Sequence, residues 1–318
     1  MKYKSEVCGK NGVEAKVVAH SKSSVNGKEV VTLNVKYWLC VHAEFLRHRL
    51  ISHSVKSNRA IPMKTIRKEV LEDPYVPIWF GAAQKGMVAN VEMKYKGIAK
   101  ALWLGARYPA CAIHWVLEKF GAHKEFANRL LNPWQFVRET ISATEWDNLY
   151  ALRLDKAAQK DINELTKCIK LAIEQSEPDV LQPGEWHTPY VGKATFTGTP
   201  EEAVKCSAAR CARSSYDKHD KTNPTIEEDL ALYETLLVDS PVHASPAEHQ
   251  CTPMIMPELD ENSLYASPSM WEEGESHLDR QGNFWSGNFK HWIQNRKLLP
   301  NEAVWEYNND SHDNGKGN

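Results

Sequence analysis

The sequence predicts an α+β fold, a mixed sheet combined with long helices, and three observations point there. An alternating run at 30–37 (VVTLNVKY) follows an Asn26-Gly27 turn signal, so residues 14–38 read as two strands of a hairpin. Several longer stretches carry apolar residues at helical spacing instead. Finally, 318 residues allow one large or two ordinary domains with a sizeable core.

In chain order, the hairpin is followed by His42–Pro62, where Leu46, Leu50 and Ile51 recur at helical spacing and place Arg47, His48 and Arg49 on or beside a helix. A helix is expected near Met63–Leu71. Pro74, Pro77 and the Gly81–Gly86 stretch mark a loop large enough for a lid or an interface arm. Residues 90–131 read as helical, interrupted near Pro109 and Gly121. A strand at Gln135–Ser142 leads into a helix carrying Asn148 and Arg153. Thr144 is its expected N-cap, with Asp147 three residues on, and Trp146, Leu149, Tyr150 and Leu152 are expected to point inward. A long helix spans about Lys156–Gln175. The Pro/Gly-rich segment Gln182–Gly198 links to two further helices at 199–212 and 225–238, and the polar tail 308–318 is expected to be disordered.

Composition excludes several classes. Lys plus Arg number 39 against 41 Asp plus Glu, so no global charge favours nucleic acid or membrane surfaces. No apolar run reaches spanning length, and the N-terminus has no secretory signal pattern. Seven cysteines without framework spacing fit a reducing cytoplasm. A zinc site from His243, His249 and Cys251 with Cys206 or Cys211 would have a ligand spacing that fits no common pattern. Arg47, Arg49, Lys56 and Arg59 could contact nucleic acid, but no binding motif surrounds them.

Arg47-His48-Arg49, followed after seven residues by Ser57 and then Arg59, concentrates charge in an otherwise apolar segment. Arginines on a rigid element suit bidentate recognition of phosphate. The pattern resembles the signature of the flavin-dependent thymidylate synthases. A second block, Asn128–Arg153 followed by Ala158-Gln159, resembles that family's second motif, and Ala212–Tyr216 with Pro241–Pro253 resembles motifs that usually precede the first. The resemblance implies reductive methylation of dUMP to dTMP, using methylenetetrahydrofolate and NADPH by way of FAD. It implies flavin contacts for Arg47, His48, Arg49, Asn148, Ser215 and His243, with Ser245 beside them. It implies nucleotide contacts for Ser57, Arg59 and Arg129, and a pyrimidine-facing role for Arg153.

The motif order fits an internal duplication. Setting Arg296 on Arg49 puts Gln294-Asn295-Arg296 on the basic triplet, and Asn301-Glu302 on Ser54-Val55. The family has Asn-Glu at the latter position, as ligand contacts. Residues 1–190 and 199–307 are therefore expected to be two related halves building one complete site, in a homo-oligomer that is a dimer of duplicated chains or a tetramer. Glu44 stands where the family has Gln beside the nucleotide, and Ala157 where some members have His. These departures open a second reading, a dUMP or dCMP 5-hydroxymethylase.

Overall fold

The computed structural model describes residues 4–55, 58–192, 195–213, 224–238, 242–255 and 271–303. Ser57, Ser215 and the 308–318 tail lie outside these residues.

The central sheet grows from the predicted hairpin. Strands β1 (Ser5–Cys8), β2 (Glu14–Ser23), β3 (Glu29–Trp38), β4 (Ser52–Val55) and β5 (Phe136–Ala143) form an antiparallel sheet in the order β1-β2-β3-β5-β4. A sixth strand, β6 (Asp179–Leu181), adds in parallel to β2. The β2–β3 turn holds Gly27 at φ 70°, a conformation that favours glycine, as the Asn-Gly pair predicts.

Period-2 alternation gives this sheet two unlike faces. Val31, Leu33, Val35, Val137 and Ile141 pack on Ile162, Leu165 and Ile169 of a helix spanning Lys160–Glu174. The opposite face carries Ser21, Thr32, Asn34, Ser52 and Ser142, all buried. Buried hydroxyls need partners, and the C-terminal part of the chain supplies them. His187 lies 2.8 Å from both Ser21 and Thr32, Tyr190 hydrogen-bonds Asn34 and Thr140, and His249 Nδ1 lies 2.8 Å from Ser142 Oγ. The 182–198 link is therefore, over its described residues, a strap across the sheet.

Helices α1 (His42–Phe45), α2 (Met63–Glu72) and α3 (Lys96–Lys119) follow the hairpin. Arg47, His48 and Arg49 sit beside a helix, in the turn that follows α1. One expectation fails here: α3 runs unbroken through Pro109, because the carbonyl that loses its donor belongs to exposed Gly105, which water can solvate.

A one-turn helix α4 (Lys124–Ala127) precedes β5, and α5 (Asp147–Arg153) follows it. Thr144 does not cap α5; its hydroxyl accepts from the Lys290 backbone N–H at 2.9 Å. Trp146 and Leu149 are buried as expected, but Leu152 is exposed.

The Lys160–Glu174 helix is α6, and α7 (Pro200–Arg213) and α8 (Ile226–Tyr233) come next. Asp229 of α8 is buried and pairs with Arg210 at 2.7 Å and Arg213 at 2.5 Å. The last described segment forms small sheets. β7 (Cys251–Pro253) pairs with β11 (Trp292–Gln294), and β8 (His277–Leu278), β9 (Phe284–Ser286) and β10 (Phe289–Lys290) form a third sheet. Trp292, fully buried against Val30, Leu181, Cys251 and Phe289, locks this segment to the central sheet. No helix among the described residues is long and apolar enough to cross a membrane.

Candidate functional site

Phe45 is buried, so α1 is anchored on the core, and the following turn alternates what it exposes. His48 points in, 4% exposed, while Arg47 and Arg49 point out. Arg153, at the end of α5, meets His48: its Nε donates to His48 Nε2 at 2.9 Å, and a terminal nitrogen donates to the Glu44 carbonyl at 3.2 Å. An Nε2 that accepts requires a neutral ring. Burial and the Arg153 cation keep it so, lowering its pKa to about 4. His48 is thus a buried support for Arg153. Asn148 is exposed in the first turn of α5, about 140° around the helix from Arg153 at ~100° per residue. Glu44 Oε2 is buried without a hydrogen-bond partner.

Two clefts flank this turn. The first, about 350 Å³, lies between the turn and the C-terminal segment, and Arg49, His53, Asn288, Gln294, Arg296 and Lys297 line it. Gly287 holds φ 59°, a conformation that favours glycine, and a Cβ there would push on Gln294 Oε1 at 2.6 Å. Arg296 is ion-paired with Glu248, and Lys297 with Glu302 at 2.8 Å. Glu302 therefore braces the cleft's cations, whereas neighbouring Asn301 is exposed.

The second cleft, about 210 Å³, brings together Arg59, Glu125, Arg129, His42, Asn58 and Gln135. Arg59 Nε lies 3.2 Å from the Glu125 carboxylate, and Arg129 Nε donates to the Glu125 carbonyl at 3.2 Å. The Asn58 amide donates to Asn132 and Gln135 at 3.1 and 2.9 Å. Two arginines from distant segments thus share one wall with amides that can read a polar ring edge.

His243 and Ser245 are exposed and line neither cleft. The zinc set does not gather: His249 is bonded to Ser142, and among the described residues no three His, Cys, Asp or Glu side chains group to hold a metal. Sequence reasoning missed a buried cluster between the clefts. Glu139 is fully buried in β5, accepts from Tyr37 Oη at 2.5 Å and from His53 Nδ1 at 2.8 Å, and Tyr37 Oη also meets His42 Nδ1 at 2.7 Å. Its signal was a carboxylate on the core-facing phase of the strand FVRETISA.

A family model described as thymidylate synthase complementing protein matches residues 4–179. No curated protein matches the chain. Among solved structures, a UMP/dUMP methylase, PolB, from Streptomyces cacaoi bound with 5-Br UMP is similar at 14% identity and TM-score 0.42, over 52% of this chain and 89% of that one. The same methylase bound with 5-Br dUMP gives 15% identity and TM-score 0.38, over 46% and 68%.

Proposed function

The chain belongs to the thymidylate synthase complementing protein family, and from that premise we propose that it methylates dUMP to dTMP as a flavin-dependent thymidylate synthase. Methylenetetrahydrofolate would be the one-carbon donor and NADPH the reductant, by way of FAD. The observation that carries this reading is the convergence of Arg59 and Arg129 in the second cleft. A nucleotide phosphate there would displace the Glu125 carboxylate from Arg59 and the Glu125 carbonyl from Arg129, and the amides of Asn58 and Gln135 would meet the ring. Asn148, Ser57, Ser215, His243 and Ser245 remain flavin or nucleotide contacts proposed from the resemblance alone.

The first cleft fits the anionic part of a dinucleotide. Arg49, Arg296 and Lys297 line it, an anion there would compete with Glu248 and Glu302 for the last two, and Gly287 leaves a stretch of wall without a side chain. Bound FAD would supply the hydride that turns the added carbon into a methyl group. The protein's part is positioning and polarisation. Arg153, braced by neutral His48 and the Glu44 carbonyl, presents a fixed cation to the pyrimidine. Phosphate binding by Arg59 and Arg129 orients the ring.

Arg49 and Arg296, set in register by the sequence, face the same cleft. That placement supports the pseudo-dimer reading, with 1–190 and 199–307 each completing the other's site. The homo-oligomer would use α3, where Ile98, Leu102 and Ile113 are exposed, and Phe120 just after it. The unpartnered Glu44 Oε2 favours one second reading. That reading is a dUMP or dCMP 5-hydroxymethylase, and a carboxylate there would accept from the exocyclic amine of cytosine if the nucleotide is dCMP.

Mass spectrometry of products decides between these. The protein receives FAD, NADPH, methylenetetrahydrofolate and equimolar dUMP and dCMP. A methyl gain on dUMP is expected. A hydroxymethyl gain on either nucleotide selects the second reading, and no change in either overturns both.

A further inference from the structure

One imidazole in the second cleft has surroundings arranged for proton transfer. His42 opens α1 and lines the cleft beside Arg59 and Arg129. Its Nδ1 is 2.7 Å from Tyr37 Oη, and that hydroxyl's single hydrogen goes to Glu139. His42 Nδ1 must therefore be a donor, which fixes the neutral ring as the tautomer with a bare Nε2. With Nδ1 turned inward, Nε2 is left on the cleft side. Burial lowers the pKa of His42, with Glu139 opposing and His53 reinforcing the effect, so the ring is neutral at pH 7. Glu139, Tyr37 and His53 face it from the sheet. Arg59, Arg129, Glu69 and Glu125 face it across the cleft.

Glu139 is a fully buried carboxylate with a large desolvation penalty. It accepts from the buried Tyr37 hydroxyl and from His53, which offsets part of that penalty. Beneath an imidazole that must become cationic it also stabilises the imidazolium through Tyr37.

We propose that His42 is the proton acceptor of the nucleotide cleft, held in its accepting tautomer by Tyr37 and Glu139. The proposal rests on the pyrimidine methylation argued above. Carbon 5 of the ring attacks the methylene of the folate's iminium form, and the electron pair of the C5–C6 double bond makes the new C–C bond. The C5–H bond then breaks, its electron pair restores the double bond, and the proton goes to His42 Nε2. His42 and the reacting carbon then touch, whereas Tyr37 and Glu139 act as positioning residues.

The test uses the full chain, 5-tritiated dUMP, methylenetetrahydrofolate, FAD and NADPH. Wild type is expected to release tritium. H42Q is expected to lose about 10²- to 10⁴-fold in turnover and tritium release, to bind dUMP within threefold of wild type, and to lose the acid limb of its pH–rate profile. Added imidazole is expected to restore part of the rate to H42A. Y37F is expected to slow turnover about tenfold and to change the His42 tautomer seen by ¹⁵N NMR in nucleotide-free protein. A wild type that releases tritium alongside an H42Q variant within threefold of it overturns this inference alone. A wild type that neither releases tritium nor methylates dUMP overturns the methylation reading, and this inference with it.

Discussion

Arg59→Ala tests the nucleotide cleft most directly. In the free protein Arg59 holds Glu125 at 3.2 Å with its side chain 66% exposed, so that pair contributes only about 0–1 kcal/mol. A guanidinium–phosphate contact is charge-assisted and contributes about 1.5–3 kcal/mol. Breaking the first to make the second leaves a net of about 1–2 kcal/mol, so R59A weakens dUMP binding by about 5- to 30-fold. E125Q acts in the opposite direction. It removes both the competing counter-ion and a negative charge beside the incoming phosphate, and it tightens binding by about 2- to 5-fold. Isothermal titration calorimetry at fixed salt measures both. An R59A variant that binds dUMP within twofold of wild type, or an E125Q variant that binds more weakly, would refute the assignment of phosphate to this wall.

Three further outcomes follow from the packing. Because the folded state lowers the His48 pKa from 6.5 to about 4 and that of His249 to about 3, the unfolded chain binds more protons across that range. Their contribution is complete above about pH 6.5 and is lost as pH falls toward 4, on the order of 3 kcal/mol from His48 alone; urea unfolding from pH 7 to 4.5 reads it, and a flat profile would contradict it. D229A leaves Arg210 and Arg213 without their buried counter-ion and costs about 3–5 kcal/mol, measured by chemical denaturation. W292A removes the largest fully buried side chain between the C-terminal segment and the central sheet and costs about 3–5 kcal/mol. Protease sensitivity confined to residues beyond 182 would accompany it, and an unchanged midpoint would refute the lock.

What was legible in the chain was whatever local chemistry decides. Alternation and Asn26-Gly27 gave the hairpin, and apolar spacing gave α2 and most of α6. Arg59 and Arg129 were legible as phosphate candidates because a motif carries them. The turn after α1 was not, since the apolar spacing of Leu46, Leu50 and Ile51 fits a longer helix. Only the tertiary structure shows that the helix stops at Phe45 and that His48 is buried against Arg153.

Sequence by itself determined the α+β class and the family and singled out the two arginines of the proposed nucleotide wall, because periodicity and motif spacing are properties of neighbouring residues. Tertiary structure alone decided three other matters. It joined Arg49 to Arg296 across one cleft, put the C-terminal segment over a buried polar sheet face, and set His42, Tyr37, His53 and Glu139 in one hydrogen-bonded cluster. The reason is physical. A serine or a glutamate in a strand has the same local propensity whether its partner exists or not, and the free energy that admits it to the interior can come from a group 236 residues away, as with Ser52 and Asn288.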